Sequence, residues 1–170
     1  MPLVRGATFL LLLLAAAVLQ VSFFAFFSYD GVVPNLVLLV VVAAGLSRGP
    51  ELATLLGFTG GLVLDLLPPA DHVAGRWALA LAVAGYLAGR VRPDRGRSST
   101  VALATVAACS FVSTSIFALS GMVLADPGIP VGEALRVIPV AVVYDLLLAP
   151  FVLPLAMRAF RRMQAPQVAY

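Results

Sequence analysis

Two carboxylates, Asp65 and Asp145, lie inside apolar stretches that hold little else able to react. Asp65 belongs to Gly57-Phe58-Thr59-Gly60-Gly61-Leu62-Val63-Leu64-Asp65-Leu66-Leu67, and Asp145 to Val143-Tyr144-Asp145-Leu146-Leu147. Paired carboxyl groups in unlike environments can divide the roles of general acid and base. A single buried carboxyl can hold a proton, a cation or a ligand, or lock helices together by hydrogen bonding. An acidic group at the centre of a membrane helix costs about 2.5–3.5 kcal/mol on insertion scales, so it needs one of these reasons. The candidate counter-charges are Arg76 and Arg136. The other reactive side chains are one histidine, His72, and one cysteine, Cys109. A zinc or transition-metal site needs three or four ligands, and a lone thiol closes no internal disulfide. With no Ser–His or Cys–His pair, phosphate loop or metal motif, the sequence predicts no enzyme, cofactor or metal.

Proteolysis is the one acid–base chemistry to weigh. Tyr144-Asp145 is similar to one half of a presenilin-type signature, but the Gly-x-Gly-Asp half is absent around Asp65. Asp65 falls about 14 residues, roughly 21 Å, from the start of its helix, in the outer part of a bilayer. Asp145 falls near the middle of its own, so the two are expected at depths several ångströms apart. Lipoprotein signal peptidases have two aspartates and a similar length, but four helices.

The elements that carry these residues follow from composition. The chain is 62% hydrophobic and 11% charged. Soluble domains average about 45–50% and 25%, and so small a chain cannot bury the excess. A bilayer lets apolar side chains face outward. The predicted fold class is therefore an all-α integral membrane bundle in a single domain spanning 1–170. Its six helices are placed at about 7–27, 32–46, 51–67, 76–90, 100–124 and 134–157. The first is too long for a secretory signal core and reads as an uncleaved helix. Pro34 suits the first turn of the second.

Charge sets the orientation. All eleven basic residues are Arg, clustered between apolar runs. With the N-terminus inside, nine of them (at 5, 48, 90, 92, 95, 97, 158, 161 and 162) fall on the inner side and two, Arg76 and Arg136, on the outer. That positive-inside bias predicts a multi-pass protein with both termini cytoplasmic. None of the arginines interleaves with an aromatic platform, so nucleic acid is not an expected partner.

Small and polar residues suggest how the helices pack. Gly57 and Gly61 are four apart, as are Gly85 and Gly89, and that spacing permits close helix approach. The seam they imply is either intramolecular or a face for a partner's transmembrane helix. On the fifth helix Thr105, Cys109, Ser113 and Ser120 fall within roughly an 80° arc, a stripe expected to face inward and hydrogen-bond other helices. Pro139, Pro150 and Pro154 punctuate the sixth helix and are expected to bend it around Asp145. Val63–Pro68 echoes Val143–Pro150, a faint sign of a 3+3 inverted repeat.

From Gly57 to about Gly89 the chain resembles a known family. The glycine-rich helix ending Gly61-Leu62-Val63-Leu64-Asp65-Leu66-Leu67, a short loop, and a Leu-rich helix with Gly85-Tyr86-Leu87-Ala88-Gly89 are similar to the rod shape-determining protein MreD. The Phe-rich first helix, Pro34-Asn35 at the second and the basic tail agree in order. Where the family often has Pro-Leu-Gly, this chain has His72-Val73-Ala74-Gly75. The resemblance implies a non-enzymatic membrane component of the machinery for cell shape and lateral peptidoglycan synthesis, in the bacterial cytoplasmic membrane. It implies partners of the elongation complex: MreC, the actin homologue MreB, a RodA-like glycosyltransferase and a class B penicillin-binding protein. The matching motif is Gly61, Asp65, Leu66 and Leu67. The family's fold is related to the substrate-binding subunits of energy-coupling-factor vitamin transporters. Such a subunit is the alternative function, with a small molecule held where Asp65, Arg76 and the loop around His72 converge. Few polar residues line that end, which favours the scaffold.

Overall fold

The computed structural model describes residues 2–29, 31–68, 73–91, 99–124 and 131–162. Six α-helices follow in order: α1 Pro2–Ser22, α2 Leu36–Arg48, α3 Pro50–Leu66, α4 Arg76–Arg90, α5 Ser99–Val123 and α6 Val131–Arg162. Among the described residues there is no β-strand, only one bridge between Tyr29 and Val32.

Three helices depart from the apolar runs that encode them, α6 by starting three residues before 134 and ending five after 157. The run placed at 7–27 leaves α-geometry at Ser22 and continues as a 3-10 turn, Phe24–Phe27. Phe23, Phe24 and Phe27 cluster there, with ring centroids 5.2–6.4 Å apart. Apolarity does not distinguish a continuing helix from an aromatic knot, and successive Phe residues lose rotamer freedom in a helix. The second apolar run predicts a helix from 32 with Pro34 in its first turn, but α2 begins at Leu36. Asn35 is its N-cap and accepts a hydrogen bond from the Leu38 N–H at 2.9 Å. A good cap sets the start, and Pro34 holds the preceding residue extended. Residues Val32 to Asn35 thus enter the bundle as non-helical chain.

Helix α2 forms the axis. Every residue from Leu36 to Leu46 is buried, and each of the other five helices packs on it. Leu-Val-Leu-Leu-Val-Val-Val-Ala-Ala-Gly-Leu has no polar face, which suits a helix surrounded on all sides. The remaining helices form a ring in which α1 adjoins α3, α3 adjoins α4, α4 adjoins α5 and α5 adjoins α6. The ring closes between α6 and α1 through side chains. The Phe9 and Phe160 rings meet at a tilt, with centroids 5.4 Å apart. Elsewhere on that seam the Tyr144 hydroxyl donates to the Phe27 carbonyl at 3.0 Å.

Gly49 ends α2 and starts α3 in one residue. Its φ of 95° is open to glycine, and Pro50 follows at the first helical position. Helix α6 runs unbroken through Pro139, Pro150 and Pro154. All three lie on its exposed face, the convex side when a helix wraps a core.

Candidate functional site

The Asp65 carboxylate, 2% exposed, is spent on the start of another helix. Oδ2 accepts from the Gly75 N–H at 2.8 Å and the Ala78 N–H at 3.1 Å, and Oδ1 from the Trp77 N–H at 3.1 Å. The N-cap of α4 is Gly75, at φ 100°, which has no side chain to cap with. The first N–H groups of a helix have no partner within it and carry the positive end of its dipole. Asp65 supplies that partner from α3.

Asp145, 1% exposed, does the same for α2. Oδ1 accepts from the Asn35 N–H at 2.7 Å, and Oδ2 from the Ser110 hydroxyl at 2.6 Å. Gln20 Oε1 lies 3.4 Å from the Val37 N–H it accepts. The start of α2 therefore draws acceptors from α1, α6 and its own cap. One carboxylate fastens α6 to both α2 and α5.

The two aspartates serve one physical purpose at two separate places. Asp65 is 15 residues from Pro50, and Asp145 is 15 from Phe160, whose carbonyl accepts from Arg48 beside the α2–α3 turn. Each thus stands roughly 22 Å from that end of the bundle. Counted along their own helices the two are equally far from that end, since the sixth helix is longer than its apolar run. Their hydrogen bonds go to different helices, those of Asp65 to α4 and those of Asp145 to α2 and α5. The echo of sequence around them is not an echo of contacts: Asp65 caps the next helix in the chain, Asp145 one from the first half.

Arg76, 3% exposed, joins the Asp65 cluster. Its Nη2 donates to the Phe117 carbonyl at 2.8 Å, and the guanidinium lies 4.0 Å over the Phe117 ring. Trp77 stacks on the same ring at 4.3 Å. The group passes over Gly121, where a Cβ would collide with it. Arg136, the other candidate counter-charge, is exposed. Nine residues from Asp145, it faces the opposite side of α6. His72 and Asp71 lie outside the described residues.

The four glycines meet along one seam. A Cβ on Gly57 would strike the Leu81 carbonyl, and one on Gly61 the Trp77 carbonyl and Ala78 Cα. A Cβ on Gly85 would strike the Ala53 carbonyl, and one on Gly89 Pro50. Helices α3 and α4 are pressed backbone to backbone. Of the two readings of the Gly57 and Gly61 face, the geometry fits the intramolecular one, since α4 of the same chain covers it. Leu66 points outward and Leu67 packs partly against the core.

The α5 stripe faces inward, with Thr105, Cys109 and Ser113 buried. Its bonds are mostly not interhelical, however. Thr105, Ser113 and Ser120 donate to carbonyls of their own helix, those of Val101, Ser110 and Phe117. Only the Cys109 thiol reaches another helix, at the Ala84 carbonyl, 3.5 Å away. The bridging hydroxyl is Ser110, which lies 100° round the helix from Cys109, toward α6. Ser110→Ala is expected to lower stability by about 1–2 kcal/mol by taking one donor from a buried carboxylate. Thermal unfolding of the purified protein measures it, and an unchanged melting temperature would mean that the bond contributes nothing net.

These caps and close seams describe a bundle whose two buried aspartates hold its helices together. A family model described as rod shape-determining protein MreD matches residues 3–159 of the 170-residue chain. The chain belongs to the MreD family. No curated protein and no solved structure matches it. The family is a structural, shape-determining one of the membrane, not a known enzyme family. Membership gives this chain a role in rod cell shape, and its match includes both aspartates and all four seam glycines.

Proposed function

We propose that this MreD-family chain crosses the bacterial cytoplasmic membrane six times, with both termini in the cytoplasm. There it acts as a non-enzymatic scaffold for MreC, MreB, a RodA-like glycosyltransferase and a class B penicillin-binding protein. The observation that carries the scaffold reading is the commitment of both buried carboxylates to helix N-termini. A half-helix N-terminus inside a membrane bundle is where a transporter receives an anionic substrate. Here those of α2 and α4 are already occupied by Asp145 and Asp65, so nothing favours the vitamin-transporter alternative.

Membrane spanning is supported by the exterior. Leu11, Leu55, Leu66, Phe111, Phe151 and Leu155 are each more than half exposed, more apolar surface than a soluble monomer tolerates. Ser99–Val123 and Arg136–Arg162 are long and apolar enough to span singly. Helix α2, at 13 residues, covers only about 20 Å, and the extended entry to Asn35 supplies the remaining depth. The arginine distribution supports the orientation.

Co-purification from native membranes in mild detergent, with mass spectrometry of the retained proteins, tests the assignment. Recovery of MreC, a RodA-like protein or a class B penicillin-binding protein is expected. Recovery of an energy-coupling transmembrane subunit with its ATPases instead would overturn it.

A further inference from the structure

The bridge between Tyr29 and Val32, closed by N–H to carbonyl bonds of 3.1 and 2.9 Å, leads the chain into α2. It stands off from α6 and leaves a cleft of about 320 Å³ lined by Tyr29, Pro139, Val140, Val143 and Tyr144. The hydroxyl of Tyr144 is held by the Phe27 carbonyl, so the lining presents mainly hydrocarbon and ring faces. Below the cleft the exposed face of α6 continues through Val143, Leu147, Phe151 and Leu155. These four recur every fourth residue over roughly 18 Å, close to the half-thickness of a ~30 Å hydrocarbon core. One turn from Val140, on the same face and at the α6 N-terminal end, is the exposed Arg136.

We propose that this cleft holds one acyl chain of an anionic phospholipid whose phosphate pairs with Arg136. The inference rests on the membrane reading above but not on which proteins the scaffold binds. Charge chooses the lipid, because an apolar groove with a guanidinium one helical turn beyond its lining matches a chain ending in a phosphate. Side-chain size disfavours a partner helix at this place. Close helix docking uses small residues, whereas this face offers Val, Leu, Phe and three prolines. Small residues instead line the α3–α4 seam, where two helices do meet.

Native mass spectrometry of the full chain in detergent, titrated with phosphatidylglycerol or phosphatidylcholine, tests the proposal. Retention of one phosphatidylglycerol in preference to phosphatidylcholine is expected. Arg136→Gln, an exposed change, should weaken phosphatidylglycerol about fivefold, the effect of one surface cation, and leave phosphatidylcholine unchanged. Val140→Trp should fill the cleft and weaken both. Equal retention of the two lipids by the unaltered chain would overturn the proposal. So would an equal loss from Arg158→Gln at the other end of α6, or cross-linking of Val143 to a partner's helix with no lipid retained. Cell fractionation that left the chain outside the membrane would instead sink the membrane reading itself.

Discussion

Gly61→Ala is expected to lower the melting temperature of the purified protein by about 10 °C. The added Cβ meets the Trp77 carbonyl and the Ala78 Cα. These are backbone atoms and cannot turn aside as a side-chain tip can, so α4 must move. Overpacking costs about 1–3 kcal/mol when side chains can adjust, and the upper end applies where they cannot. Displacement also spreads, because the Ala78 N–H that Gly61 packs beside is bonded to Asp65. Pushing α4 away stretches the cap that fixes its start. At 2–4 °C per kcal/mol for a chain of this size, about 3 kcal/mol gives the stated shift. Gly57→Ala, against the Leu81 carbonyl, should behave alike. Gly6→Ala serves as the control, since nothing lies within 4 Å of its Cβ position. Thermal unfolding in detergent compares the three. If Gly61→Ala melted normally yet failed to capture MreC, the glycine face would be a docking face after all.

The seam was half legible in the sequence. Four-residue glycine spacing announces close approach but not the identity of the approaching helix, because either glycine pair fits any small-residue face. The aspartates were legible as costly and therefore purposeful. Their purpose was not legible, because the groups they satisfy are backbone N–H donors, which no residue type marks. Asn35 was visible beside Pro34, yet its capping of α2 depends on where the preceding chain runs. Ser110 fell outside the polar arc of α5 because that arc follows one line of neighbours, and α6 lies beside it. The central place of α2 was hidden for another reason. A helix without a polar face marks the core of a soluble protein, but in a chain this apolar that trait does not set α2 apart from a helix such as α1. Which one is surrounded by protein depends on the packing of all six.

Asn in place of each aspartate should separate the two caps sharply. At Asp65 three N–H groups converge on both carboxylate oxygens. An amide offers one oxygen, and its NH2 must then face at least one N–H donor with no acceptor between them. A buried donor left unpaired costs about 1–3 kcal/mol, and loss of negative charge at a helix start adds roughly 0.3–1 kcal/mol. Asp65→Asn is therefore expected to destabilise by about 3 kcal/mol through the loss of the α4 cap alone. A defect in that variant is consequently no sign of a ligand or proton site. At Asp145 only one of the two partners is an obligate donor, the Asn35 N–H. The other is the Ser110 hydroxyl, which can accept as readily as it donates. An Asn there keeps its oxygen on Asn35 and gives its NH2 to Ser110 Oγ, whose own hydrogen turns to a carbonyl one turn back on α5. Asp145→Asn should cost less than about 1 kcal/mol. Melting temperatures of the two variants read out the contrast directly. A mild Asp65→Asn would mean that the α4 cap is held by something other than this carboxylate. A stable Asp145→Asn that nevertheless failed to support rod shape would give Asp145 a charge-dependent function beyond fastening α6 to α2 and α5.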